Sequence, residues 1–206
     1  MYALVESGSV TKLFPYPKGF TLNGNQYPQD IFYKWTKAQK EAIGIYEIEM
    51  DNTNLKDEKW YINTNISYSF NGNKVVGSYG AATAKAHADS LYTEEDKTDG
   101  NIPEGKDVGD VAVEGLKTIL IRDLKSQAAI ELQNTDWYVI RKADAGTAIP
   151  SSITTHRADV RTKCAEMETA ITNASDTPAL ETLYTYTKQE DGSFTRPLGE
   201  LPILEV

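Results

Sequence analysis

The sequence predicts an α+β protein with an N-terminal β-rich domain followed by a C-terminal helical hairpin. Three observations carry that expectation. Residues 1–82 are dense in Tyr, Phe and turn dipeptides, residues 108–185 repeat apolar side chains at helical spacing, and the acidic stretch 83–107 separates the two. Aromatic and β-branched side chains suit a half-buried pleated surface, whereas a 3.6-residue repeat builds one face of a helix.

Within 1–82 the turns mark out the strands. Tyr2–Glu6 and Val10–Phe14 flank Ser7-Gly8-Ser9, and Gly19–Leu22 and the segment from Gln26 flank Asn23-Gly24. Asn-Gly is the strongest short hairpin signal, because both central residues must adopt positive φ. Ile66, Tyr68 and Phe70 alternate with Ser67 and Ser69, and Asn71-Gly72-Asn73 then turns the chain toward Lys74–Tyr79. One short helix interrupts the region from about Thr36 to Ile43. Thr36 is its cap, Gln39 completes a capping box, and Gly44 stops it.

Residues 83–107 read as an exposed linker. From Asp89 to Asp107 there are seven acids and two lysines, a net −5 of the chain's −9. Like charges with little apolar content do not offset the entropy of ordering.

On 108–133, Val113, Leu116, Leu120, Ile121, Leu124 and Ala128 share a helical face, and Ala112, Ile119 and Ile130 widen it to about 200°. On 153–172, Ile153, Val160, Cys164, Met167 and Ile171 form only a narrow stripe. The wider face therefore needs a second burial partner, within the chain or outside it, and Ile119 and Ile130 on its outer edge are candidate partner-binding residues. A third helix is expected at Pro178–Tyr184, with Asp176 or Thr177 as cap. The end, 186–206, reads as a turn at Asp191-Gly192 and an extended tail.

Composition narrows the function. A net charge of −9 opposes general affinity for nucleic acid, whose phosphates call for clustered Lys and Arg. No apolar run approaches the roughly 20 residues of a membrane helix, and Met1–Glu6 lacks the start of a signal peptide, so a secreted protein is not expected. The single cysteine, Cys164, leaves no internal disulfide. The chemistry of catalysis is also missing. His156 and Cys164 lie eight residues apart on one helix, about 12 Å along its axis, too far for a dyad. Aligning Gly100 with the glycine of a calcium loop puts Lys97 and Lys106 at ligand positions. No enzyme activity, cofactor or metal is expected.

The segment that speaks to function is Thr135-Asp136-Trp137, followed after a Gly/Pro loop by His156-Arg157 and Val160-Arg161. On composition alone Trp137 is expected to pack in the mouth of a helical hairpin, with Asp136 bonded to loop N–H groups or a nearby Arg. In the functional reading Trp137, Arg157 and Arg161 also present a recognition surface. The two arginines, four residues apart, point the same way, and Trp and Arg dominate binding hot spots.

Residues 134–165 resemble the tail assembly chaperone family of tailed bacteriophages, in which an Asp-Trp pair precedes a helix carrying Tyr-Arg and a second Arg. His156 stands here where the family commonly has Tyr. The resemblance implies a protein that binds a tail-fibre or tail/baseplate subunit, in the host cytoplasm during assembly or in the virion tail, with homo-oligomers compatible. It implies a chaperone that keeps a fibre subunit from aggregating. The alternative is a structural component of the tail, baseplate or fibre attachment that remains in the virion. A small cell-envelope hydrolase is a third reading, which would require convergent acids or a His that no single element supplies.

Overall fold

The computed structural model describes residues 1–64 and 66–204. The fold is α+β, and the chain forms two compact units, Met1–Thr83 and Ala84–Val206.

The first unit is built on a five-stranded sheet. β1 (Tyr2–Glu6) and β2 (Ser9–Phe14) form a hairpin whose turn puts Ser7 and Gly8 at positive φ. A second hairpin, β3 (Phe20–Leu22) and β4 (Asn25–Tyr27), turns through Asn23 and Gly24 at φ 49° and 79°. Helix α1 (Ile31–Lys34) follows. Helix α2 (Lys37–Glu41) carries the expected capping box of Thr36 and Gln39. The chain continues through β5 (Ile45–Asp51), β6 (Tyr61–Ile62), β7 (Ile66–Phe70) and β8 (Val75–Tyr79), and leaves the unit within β9 (Thr83–Ala84).

The sheet order is β2-β1-β5-β8-β7, antiparallel except for the parallel pair β5–β8. Strand alternation places two cores on its two faces. Leu4, Phe14 and Ile45 pack with Phe20 of the second hairpin and with Ile31 and Phe32 of α1. Ala3, Ile48 and Val75 face the other way, among Val10, Leu13, Tyr46, Tyr68 and Phe70. A bulge in the first hairpin, where pairing steps from Leu4–Lys12 to Val5–Val10, lets Val10 and Leu13 share this second face. The edge strands β2 and β7 approach within 8 Å between Cα atoms, so the sheet curls around that core.

The second unit begins with β10 (Ser90–Leu91), α3 (Glu94–Thr98) and β11 (Val111–Val113), with β10 paired to β11. The acidic stretch is exposed along most of its length, as its charge implies, yet it carries regular elements and belongs to this unit rather than linking two domains. Two carboxylates order it. Asp96 closes a capping box with Thr93, and Asp89 reaches the start of α4 (Leu116–Gln133). There the Gly115 N–H donates to Asp89 Oδ1 at 2.7 Å and the Thr118 hydroxyl to Oδ2 at 2.8 Å. The N–H groups of Leu116 and Lys117 donate to the carbonyls of Ala86 and His87. Helix α4 thus starts at Leu116 rather than 108. Ala112 and Val113 match its apolar stripe by angle but lie in β11.

Helices α5 (Asp136–Ala145), α6 (Ser151–Asn173) and α7 (Thr177–Tyr184) complete the unit, with α7 capped by Asp176. α4 and α6 run antiparallel. Lys125 pairs with Glu168 at 2.7 Å, and Lys117 donates to the Thr172 carbonyl. Leu116, Leu120, Leu124 and Ala128 meet a core that includes Ile153, Val160, Met167, Ile171, Leu180 and Leu198, each burial worth about 1.5–3 kcal/mol for the larger aliphatics. The C-terminal stretch is not an extended tail. β12 (Thr187–Lys188) and β13 (Phe194–Thr195) form a hairpin, the Arg196 guanidinium lies over the rings of Tyr184 and Tyr186, and Leu198 is buried. The last two residues, 205 and 206, lie outside the described ones.

Candidate functional site

The segment expected to be the loop of a helical hairpin is itself a helix. Asp136 stands in the first turn of α5, where a carboxylate complements the helix dipole. Gly146 ends it in the left-handed conformation at φ 66°, its N–H donating to the Lys142 carbonyl.

Arg157 of α6 fixes the corner between α4 and α5. Its Nη1 donates to the Leu132 carbonyl and to Thr135 Oγ1, both at 2.6 Å, and its Nη2 lies 2.8 Å from Asp136 Oδ1. The side chain is 11% exposed, and Thr135 is 1% exposed. Arg157 is therefore a buried fastening and not part of an open recognition surface. The Asp136–Arg pairing foreseen in the sequence is this contact. A guanidinium suits the place because its planar fork serves several acceptors at once and stays charged when buried.

Trp137 reverses the expectation of burial. It is 52% exposed and packs against no core. Its ring sits 4.7 Å from that of Tyr138, and the Arg141 guanidinium lies 4.4 Å above the indole, one turn along the helix. The physical reason is that α5 contributes no buried residue at all, so its apolar side chains have nothing to pack into. Val139 and Ile140 are exposed as well, Ile140 at 67%. Trp137, Ile140, Arg141 and Asp144 share one face by helical spacing, whereas Val139, two residues from Trp137, projects from the other side of the helix.

Arg161 is exposed, with Nη1 bonded to the Arg157 carbonyl at 3.3 Å. It lines a groove of about 270 Å³ between α4 and α6, floored by Ala128, Ala129, Leu132, Cys164 and Ala165. Burial and the nearby Glu168 carboxylate push the Cys164 thiol up, away from the thiolate a nucleophile requires. Of the two outer-edge isoleucines, Ile119 is half-buried and Ile130 is 57% exposed. The five sequence-derived residues thus divide. Arg157 is internal, Arg161 borders the groove, Trp137 belongs to α5, and Ile119 and Ile130 lie on the flank of α4.

The sequence reading missed Val139, Ile140 and Arg141. The signals were there: an acid at the first helical position, Trp137 and Ile140 three apart, and a glycine after Ala145. Among the described residues, no group of three or more His, Cys, Asp or Glu side chains is placed to hold a metal ion. Among the same residues no helix is long and apolar enough to cross a membrane. Comparison of the chain with protein-family models, with curated proteins and with solved structures finds no match.

Proposed function

We propose that the chain is a binding protein of bacteriophage tail assembly, acting as a chaperone for a tail or fibre subunit rather than as an enzyme. The observation that carries this reading is α5, a ten-residue helix with no buried side chain that displays Trp137, Val139 and Ile140 to solvent. Trp137 and Ile140, one turn apart on a shared face, form an exposed apolar pair of the kind that marks a contact surface. The resemblance of residues 134–165 to the tail assembly chaperone family supplies the class of client.

Mechanistically, Arg157 would hold the base of α5 against α6 while the distal face stays free. The client would cover Trp137 and Ile140 on their shared face, Trp137 being of the residue type that concentrates binding energy. Arg141, already over the indole, would border the contact.

Co-expression with the fibre and tail proteins of the same phage, followed by affinity capture, tests the reading. The native chain should retain a fibre subunit, and Ile140→Asp should release it while staying folded. Capture unaffected by Ile140→Asp would remove α5 from the interface. Purified virions divide chaperone from tail component. A chaperone is absent from finished particles, whereas a permanent component is present at fixed stoichiometry.

A further inference from the structure

The second unit carries both an unpartnered helix and a groove able to take one. Helix α5 has no buried residue, and Trp137 and Ile140 lie exposed on one of its faces. The groove of about 270 Å³ between α4 and α6 has an apolar floor that includes Ala128, Ala129 and Ala165, and no residue of α5 lines it. Arg157 explains why the helix leaves its own groove empty. It binds the Leu132 carbonyl, Thr135 and Asp136, which fixes the first turn of α5 at the corner.

Length and charge match the two surfaces. The groove runs from the Lys125–Glu168 ion pair at one end to Leu132 and Arg161 at the other. That is seven residues along either helix, about 10 Å. Trp137 and Asp144 stand the same seven residues apart on one face of α5, again about 10 Å. Asp144 and Arg161 are both exposed, and among the described residues neither meets an opposite charge, Arg161 reaching only the Arg157 carbonyl. Setting Asp144 on Arg161 carries Ile140 over the alanines. It also brings Trp137, with Arg141 stacked on its ring, to the Glu168 end. Opposite charges then meet at both ends, with apolar surface between them.

We infer that α5 seats in the α4–α6 groove of a second copy of this chain. Helix and groove adjoin near Leu132, so one patch holds both, and a two-fold axis lets each copy give its α5 and receive the other's. The inference rests on α5 being a contact face, as in the proposed function, and adds that a second copy covers this face until a client displaces it. One ten-residue helix per copy makes a small interface of the transient kind, so association at roughly 10–100 µM is expected.

Sedimentation velocity of the full chain from about 5 to about 500 µM tests this. The native chain should pass from monomer to dimer and no further. Arg161→Asp and Asp144→Arg each set like charges together twice per dimer. Each should weaken the dimer about tenfold or more, and the double variant should return to within about threefold of native affinity. Ala165→Glu blocks the groove without touching α5, so it should abolish the dimer and leave capture of a fibre subunit intact. All three positions are exposed, and the variants therefore keep the fold. A chain monomeric throughout, single reversals without effect, a double variant that is not restored, or mass growing past the dimer overturns the inference. Loss of fibre capture in Ala165→Glu also overturns it, since the groove then belongs to the client. A dimer that shows the charge rescue while capturing no fibre or tail protein upholds the inference and removes only the client reading.

Discussion

Arg157 and Asp136 meet at 2.8 Å across the corner where α5 leaves α4, and the same guanidinium also binds the Leu132 carbonyl. Sequence spacing places Arg157 and Arg161 as neighbours on one helix face. Their environments differ completely, one buried among acceptors and the other in solvent, and that difference sets the first expectation.

Arg157→Ala should destabilise the second unit by about 1–3 kcal/mol, because the Leu132 carbonyl and the Thr135 hydroxyl, though still bonded to each other, lose a charge-assisted donor that ties α6 to the corner. Arg161→Ala should fall within about 0.5 kcal/mol of the native chain, as exposed substitutions usually do. Denaturant midpoints read by far-UV circular dichroism compare the two. Equal losses would show that the corner is held by something other than Arg157.

Trp137 should be the tryptophan most open to solvent. Trp60 is buried and Trp35 half-buried, so acrylamide should quench one accessible component, and Trp137→Phe should abolish it. Trp137→Ala should leave the thermal midpoint nearly unchanged, in contrast to the roughly 3–5 kcal/mol that truncating a buried aromatic costs. A large fall in the midpoint would mean that the indole packs after all.

The clamp at the start of α4 carries a pH dependence. The Gly115 N–H and then the Thr118 hydroxyl hold Asp89 below the ordinary carboxylate value of 3.8. Its contribution to stability is therefore complete above that value and is lost as pH falls through the lowered one. Asp89→Asn should flatten the acid limb of the stability curve below about pH 4 while changing its slope little near neutrality. Urea midpoints across pH 7 to pH 2.5 would display this. An unchanged acid limb would place the acid sensitivity in other carboxylates.

Gly115→Ala should be costly for a different reason. A Cβ there would fall 2.3 Å from the Ala88 carbonyl carbon and 2.4 Å from its oxygen, and backbone does not yield as a side chain can. A loss of about 1–3 kcal/mol is expected, in the range of overpacking. Ser126→Ala, on the exposed side of the same helix, is the matched control and should be neutral or slightly stabilising.

Much of the local structure was legible because short segments determine it. Asn23-Gly24 admits few turns, Thr36 with Gln39 forms a capping box by itself, and Asp176 before Pro178 announces α7. What the sequence concealed depends on residues far apart in the chain. Ala112 and Val113 match the helical stripe of α4, but a strand partner at residues 90–91 claims them. The start of α4 is fixed by a carboxylate 26 positions away. Helix α5 occupies a stretch that reads as a Gly/Pro loop, and Trp137 is exposed although a large aromatic beside a turn is usually buried. Arg157 and Trp137 in effect exchanged roles, since burial depends on what lies across from a side chain.

The placement of β1 inside the sheet bears on how the chain is made. β1 and β2 can pair as soon as Phe14 has been synthesised, but the other edge of β1 waits for Ile45–Asp51, and β5 in turn waits for Val75–Tyr79. A nascent chain halted before Ile45 would hold Ala3 and Leu4, both buried in the finished sheet, on a hairpin with one unpaired edge. Translation through the thirty or so residues between β2 and β5 is thus the interval in which this protein is most open to wrong strand partners.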